Sequence, residues 1–226
     1  MSRTIRALAA LSIVAIAITG CSKKNNNANP SDQPTGPQLM AEGDKAMSDV
    51  KSAHFTLTVD GKIAALPVKQ AEGDLTREGS AKGTAKVEQL GFVTEVAFVI
   101  VGQDLFLKGP TGGYQKMPLS VAASVYDPSA ILDPDRGAAK LLRTAKNPKF
   151  EGKEQVDGKQ ACKVSFEPDT TALAALIPTT ITGIKGMVWL YEDSKRIAKA
   201  EFTFPEGGKV TVVFTNYDAP VTISAP

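Results

Sequence analysis

Ser52-Ala53-His54-Phe55-Thr56-Leu57-Thr58-Val59-Asp60-Gly61 decides the fold class of this chain. Phe55, Leu57 and Val59 alternate with His54, Thr56 and Thr58, so one face is apolar and the other polar, as in a half-buried strand. Asp60-Gly61 is a hairpin turn signal. Downstream the period stays at two. Ala85 and Val87 alternate with Thr84, Lys86 and Glu88. Phe92 to Val101 is longer and nearly continuous in apolar character, which predicts cover on both faces. Gly102-Gln103 turns that strand into Leu105-Phe106-Leu107, and Gly109-Pro110-Thr111-Gly112-Gly113 forms a further loop.

Upstream and in the middle the period changes to that of a helix. Leu39, Met40, Ala46, Met47 and Val50 share a stripe, predicting a helix over 38–51 that Gly43 weakens. Asp127-Pro128 and Asp133-Pro134 each place a capping carboxylate before a proline. Ala138, Leu141, Leu142 and Ala145 follow as an amphipathic stripe, which Asn147-Pro148 stops. Strands resume near Phe150, with a hairpin signal at Asp157-Gly158. Asp169 caps a short helix carrying Leu173, Leu176 and Ile177, which Pro178 ends. Three strands close the chain at roughly 186–192, 196–204 and 208–217, and Ala200, Phe202 and Phe204 share a face, as do Val210, Val212 and Phe214. The pattern predicts an α+β fold, a broad antiparallel sheet with its helices grouped on one side.

The amino terminus has the form of an export signal. Arg3 and Arg6 precede an apolar run from Ala7 to Ile18, short of the about 20 residues that a spanning helix needs. Ile18-Thr19-Gly20-Cys21 resembles the bacterial lipobox, which implies cleavage after residue 20 and a lipid anchor on Cys21. Two acyl chains hold a protein on a membrane stably where one does not. Ser22 to Gln38 contains two lysines, four asparagines and three prolines, a composition too polar to offset its ordering entropy. The expected organisation is a signal peptide over 1–20, a lipidated cysteine and disordered tether over 21–37, and one domain over 38–226. The expected location is the extracytoplasmic face of the cell membrane.

Composition narrows the partners. The chain has 26 basic residues, and loss of Arg3 and Arg6 leaves 24 against 24 acidic ones. No net basic field remains to attract nucleic acid. Cys162 is the only other cysteine, so with Cys21 acylated no internal disulfide can form. Its place beside Val164 and Phe166 reads as a small buried hydrophobe.

Catalytic patterns are lacking. His54 is the single histidine and lies on a polar strand face, with no Gly-x-Ser-x-Gly elbow and no phosphate-cradling loop elsewhere. Asp127, Asp133 and Asp135 are interrupted by prolines and lack the alternation of a calcium loop. No cofactor or metal is expected, and no enzymatic activity.

Three stretches carry a family resemblance. Lys51-Ser52-Ala53-His54-Phe55-Thr56-Leu57-Thr58-Val59-Asp60-Gly61-Lys62 is the first, and Val125-Tyr126-Asp127-Pro128-Ser129-Ala130-Ile131-Leu132-Asp133-Pro134-Asp135-Arg136-Gly137 is the second. With Val188-Trp189-Leu190 they resemble the LppX, LprA, LprF and LprG lipoproteins of mycobacteria along essentially the whole mature chain. The resemblance implies a half-barrel of antiparallel strands around helices, similar to LolA and LolB, with an apolar cavity for the acyl chains of lipids or glycolipids. An envelope transporter or acceptor protein is a candidate partner for such a carrier, and the sequence itself does not identify one. On that reading Phe55, Leu57, Val59, Val87, Val96, Phe98, Ile100, Leu105 and Leu107 face the cavity from the sheet. Leu141, Leu142, Leu173 and Leu176 face it from the helices. From the alternation alone a packed core is the favoured reading, since alternation cannot encode a cavity, and with it goes a protein-binding or sensing role.

Overall fold

The computed structural model describes residues 33–63, 66–89, 91–122, 130–177 and 179–226. The expected signal segment, Cys21 and the tether as far as residue 32 lie outside the described residues, as do Asp127, Pro128 and Pro178. Pro34 to Pro226 forms one compact unit.

Along the chain come α1 (Gly36–Ser48), β1 (Ser52–Asp60), β2 (Val68–Thr76), β3 (Ala81–Gln89), β4 (Phe92–Val101), β5 (Asp104–Lys108) and β6 (Gln115–Pro118). Then follow α2 (Leu119–Ala122), α3 (Ala138–Arg143), β7 (Lys146–Val156), β8 (Lys159–Glu167), α4 (Thr170–Ala174), β9 (Lys185–Tyr191), β10 (Ile197–Thr203) and β11 (Lys209–Thr215). The strands form one antiparallel sheet in the order β6-β5-β4-β3-β2-β1-β11-β10-β9-β8-β7. The sheet is open, since β6 and β7 are its two edges. The chain builds one half outward from β1, returns through α3 to the far edge, and closes on β1 from the other side with β11. Twist accumulates from strand to strand and coils a sheet this wide around whatever covers its apolar face. Here that cover is α1, α3 and α4, which share one core with residues from β1 to β5 and from β8 to β11.

Local chemistry explains the element ends. Thr35 is extended and its hydroxyl accepts the Gln38 N–H, with a proline in the first turn, so α1 starts two residues ahead of the expected position. At the other end Arg77 donates from Nε to the Val50 carbonyl at 2.8 Å and from Nη2 to the Ser48 carbonyl. These bonds satisfy the carbonyl of the last helical residue and one just past the helix end. Gly43, expected to weaken α1, lies where the middle of the helix packs closely on its neighbours. A Cβ there would stand 3.0 Å from Leu142 Cδ1 and 3.1 Å from Leu190 Cδ2. Its lost propensity is the cost of close packing on α3 and β9.

Three sequence expectations shift. Asp60-Gly61 does not make a two-residue hairpin, because β2 resumes only at Val68. Asp133 does not cap α3. Its Oδ1 accepts the N–H groups of Asp135 and Arg136, and its Oδ2 accepts Arg136 Nε at 2.8 Å, so it caps the preceding turn while α3 begins after Gly137. Phe92 to Val101 is covered on both faces only in its second half, where Phe98, Val99 and Ile100 are all buried, and its first half is exposed. Two other expectations hold. Asp157 and Gly158 take φ of 48° and 76° in the two-residue turn between β7 and β8. Asp169 Oδ1 accepts the Thr171 and Ala172 N–H groups at 3.0 and 3.2 Å, capping α4.

The segment after β11 locks the strand ends opposite the Gly61 turn. Asp218 Oδ1 accepts the Lys51 N–H at 2.8 Å, its Oδ2 pairs with Arg196, and its own N–H donates to Ser52 O. The Tyr217 hydroxyl donates to Ile197 O at 2.6 Å, and burial pushes it well above the ordinary tyrosine range. Burial by itself would raise the Asp218 carboxyl, but the Lys51 N–H and the Arg196 guanidinium outweigh it and hold the group below the usual range. A carboxyl depressed on folding stabilises above its unfolded pKa, about 3.9, and that contribution is lost as pH falls through the folded value. Asp218→Asn should therefore lower Tm at neutral pH. The gap to the unsubstituted protein should narrow as pH falls below the unfolded value and through the lower folded one. Thermal melts across that range check it, and a gap independent of pH would show that Asp218 does not act through its charge.

Candidate functional site: the apolar interior and its rim

Period two puts Phe55, Leu57 and Val59 on the inward face of β1, where all three are buried. Register sets them against Phe214, Val212 and Val210 of β11. Phe55 also lies across from Gly73 of β2, whose missing side chain lets the backbone of β3 at Lys82 and Gly83 come close. Aromatic–glycine pairing recurs on the other half of the sheet. Phe166 of β8 sits opposite Gly186 of β9, where a Cβ would come within 2.6 Å of the Phe166 ring. Phe166 then meets Phe202 edge to face at 6.3 Å between centroids.

Other predicted positions divide by place. Phe98, Ile100 and Leu105 are buried, and Val87 and Leu107 are half-buried against the core. Val96 keeps the inward parity of Phe98 but is only half-buried, one residue pair beyond the core toward the strand ends. Leu141, Leu142 and Leu173 are buried and Leu176 is half-buried, all within the same core. Cys162 is buried beside Val164 and Phe166, and burial pushes its thiol up.

Between β1, β11, β10 and the helices lies an apolar cavity of about 40 Å³. Leu57, Leu141 and Leu176 line it, and so do Ile131, Ala138, Ile177, Ile197, Ala200, Phe202, Val212 and Phe214. The predicted residues of β3, β4 and β5 are not on its wall. Several wall residues had visible signals, since Ala200, Phe202, Val212 and Phe214 share the apolar parity of β10 and β11. What sequence reasoning missed was that β10 and β11, not β4 and β5, sit over α3 and α4. At 40 Å³ the cavity is far below the roughly 300–1,000 Å³ of sites that enclose small molecules.

A second, open cleft of about 360 Å³ adjoins it at the strand ends, lined by Lys146, Glu167, Thr170, Leu173, Ile181, Thr182, Ile184 and Lys185. α4 and the turn that follows it stand between the two spaces, with Leu173 of the helix on the cleft and Leu176 and Ile177 of the turn on the cavity. The helix has five residues, and Lys146 pairs with its capping Asp169 at 3.3 Å. Charged and hydroxyl groups thus join apolar ones around the outer space, and apolar residues alone line the inner one.

His54 is not without an orienting group. Its Nδ1 lies 2.9 Å from Asp74 Oδ1, across the β1–β2 register on the outward face. Sequence reading missed the pair because Asp74 is 20 residues away.

The model of the LppX_LprAFG lipoprotein family matches residues 35–223, almost the whole compact unit. The chain belongs to this family. It is 30% identical to the lipoarabinomannan carrier protein LprG of Mycolicibacterium smegmatis, over 96% of this chain and 94% of that one. The crystal structure of LprF from Mycobacterium bovis superposes with a TM-score of 0.76 at 25% identity, covering 84% of this chain and 96% of LprF. Lipoprotein LppX of Mycobacterium tuberculosis shares the fold with a TM-score of 0.64 at 20% identity, covering 83% and 99%. The open sheet around helices is therefore the architecture of the LppX_LprAFG lipoproteins. No described helix is long and apolar enough to cross a membrane.

Proposed function

We propose that this protein is a membrane-anchored, non-catalytic lipoprotein of the cell envelope that binds acylated lipids or glycolipids in its apolar interior and carries them across the envelope. The observation that carries this reading is family membership shared with a lipoarabinomannan carrier, joined to an interior whose cavity wall is wholly apolar. The anchor is the acylated Cys21. An envelope transporter or acceptor protein receives the cargo. Exposing one acyl chain of about 16 carbons to water costs on the order of 10 kcal/mol at about 0.8 kcal/mol per methylene, and an apolar interior removes that cost in transit.

Loading requires expansion. α4 is the thinnest element between the outer cleft and the inner cavity, so its displacement merges them and brings the headgroup to rest among Lys146, Glu167, Thr170 and Lys185. The small size of the inner cavity favours a second reading, a packed module that meets a protein partner and takes no lipid. Native mass spectrometry with lipid extraction on residues 34–226 separates them. A stoichiometric co-purifying acylated lipid is expected. An apo mass unchanged after incubation with envelope lipids would establish the packed module instead.

A further inference from the structure

Phe92 and Val93 are 76% and 59% exposed, and Tyr114 is 40% exposed. All three lie at one end of the sheet. Phe92 and Val93 begin β4, beside the turn that follows β3. Tyr114 stands in the loop between β5 and β6, where it shares a shallow depression with Glu95 and Lys108 near the start of β4. The segment Gln89-Leu90-Gly91-Phe92-Val93-Thr94 carries no charge. Glu88, cross-strand from Val93, is engaged by Lys69 at 2.9 Å, and Lys108 Nζ lies 5.9 Å from the Tyr114 ring.

Strand register shows what else occupies this rim. β1 ends here beside the starts of β2 and β11, and β8 ends here beside the starts of β7 and β9. The outer cleft opens here as well, since Lys146, Glu167 and Lys185 are those strand ends. The chain also enters the compact unit here. Gly36 opens α1 against the backbone of Pro148 and Lys149 at the start of β7. Fourteen residues lie between Cys21 and Gly36, a span of about 20 Å for a coil of that length.

We propose that the β3–β4 hairpin tip, through Phe92 and Val93 with Tyr114 beside it, is a membrane-docking element that inserts into the bilayer interface and turns the mouth of the cleft toward the lipid. The occupant is a bilayer surface because a short tether from an acylated residue joins the protein at this same rim. The chemistry agrees. Interfacial anchors bury an apolar tip about 5–10 Å deep with aromatic rings at headgroup level. Two residues at about 3.3 Å each reach that depth before Glu95 enters. The orientation rests on acylation of Cys21, but docking itself does not require a lipid-filled cavity.

The test uses the chain from residue 21 onward, which holds the whole compact unit, with Cys21→Ser so that no acyl anchor contributes. It is mixed with vesicles of phosphatidylcholine, or of phosphatidylcholine and phosphatidylglycerol in equal parts. Sedimentation should show binding to both, little changed by salt because the tip is uncharged. Phe92→Ser/Val93→Ser should weaken it about tenfold or more, with Tm and any co-purifying lipid unchanged. In a separate measurement, Phe92→Trp should be quenched by brominated acyl chains while Trp189 of the unsubstituted protein is not. Equal vesicle binding by the double-serine protein, absence of binding by the parent, or an unquenched Phe92→Trp would each overturn the proposal. A concentration-dependent dimer abolished by the same serines would also overturn it, assigning the tip to a second copy of this chain.

Discussion

Phe55→Ala is expected to lower the unfolding free energy by about 3–5 kcal/mol. Phe55 has no exposed surface and sits on β1, the strand that joins the two halves of the sheet. It lies between Gly73 of β2 on one side and Phe214 of β11 on the other. Truncation removes the transfer energy of the ring and leaves a void that two paired strands cannot collapse to fill. The size of the loss reports on the interior. A core closed around Phe55 gives the full range in urea denaturation. An interior already held open in solution would give clearly less, because the cavity term would be paid in the parent. A loss below about 1.5 kcal/mol would therefore show that the closed interior is not the dominant state in solution.

Ala200→Trp should abolish lipid retention, reducing co-purified lipid tenfold or more, while the protein stays folded. Ala200 lies in the middle of β10, between Val188 and Val212, on the wall of the 40 Å³ cavity. An indole cannot enter that space without pushing on Leu141, Leu176 or Phe202. Overpacking of this kind costs about 1–3 kcal/mol, which a domain of this size tolerates. The two consequences separate the two readings of the interior. In a carrier the indole occupies the volume that acyl chains need, so lipid is lost and stability falls modestly. In a packed module stability falls the same way, but there is no lipid to lose. Lipid retained at parental stoichiometry in a folded Ala200→Trp protein would exclude this cavity as the binding site.

Much of the architecture was legible because its causes are local. A period of two in Ser52–Asp60 or Lys209–Thr215 assigns a strand and both of its faces without reference to any other residue, and Phe55, Leu57, Val210, Val212 and Phe214 all point where alternation puts them. Asp169 before α4 and Asp157-Gly158 in their turn were readable for the same reason, since a cap or a tight turn is complete within four residues. Composition alone separates the polar stretch after Cys21 from the domain.

Other features depend on which elements meet. Gly43 reads as a weakness until α1 is set against Leu142 and Leu190, which come from distant parts of the chain. Val96 has the right parity for the core, but burial along β4 sets in only at Phe98, and no local pattern encodes the extent of a neighbour's cover. For the same reason Phe92 and Val93 read as the most buried strand and are the most exposed. The pairing of His54 with Asp74 and the wall of the cavity follow from strand order and from the crossover that brings β10 and β11 over α3. Alternation tells each strand which way to face, and only the assembled sheet decides what it faces.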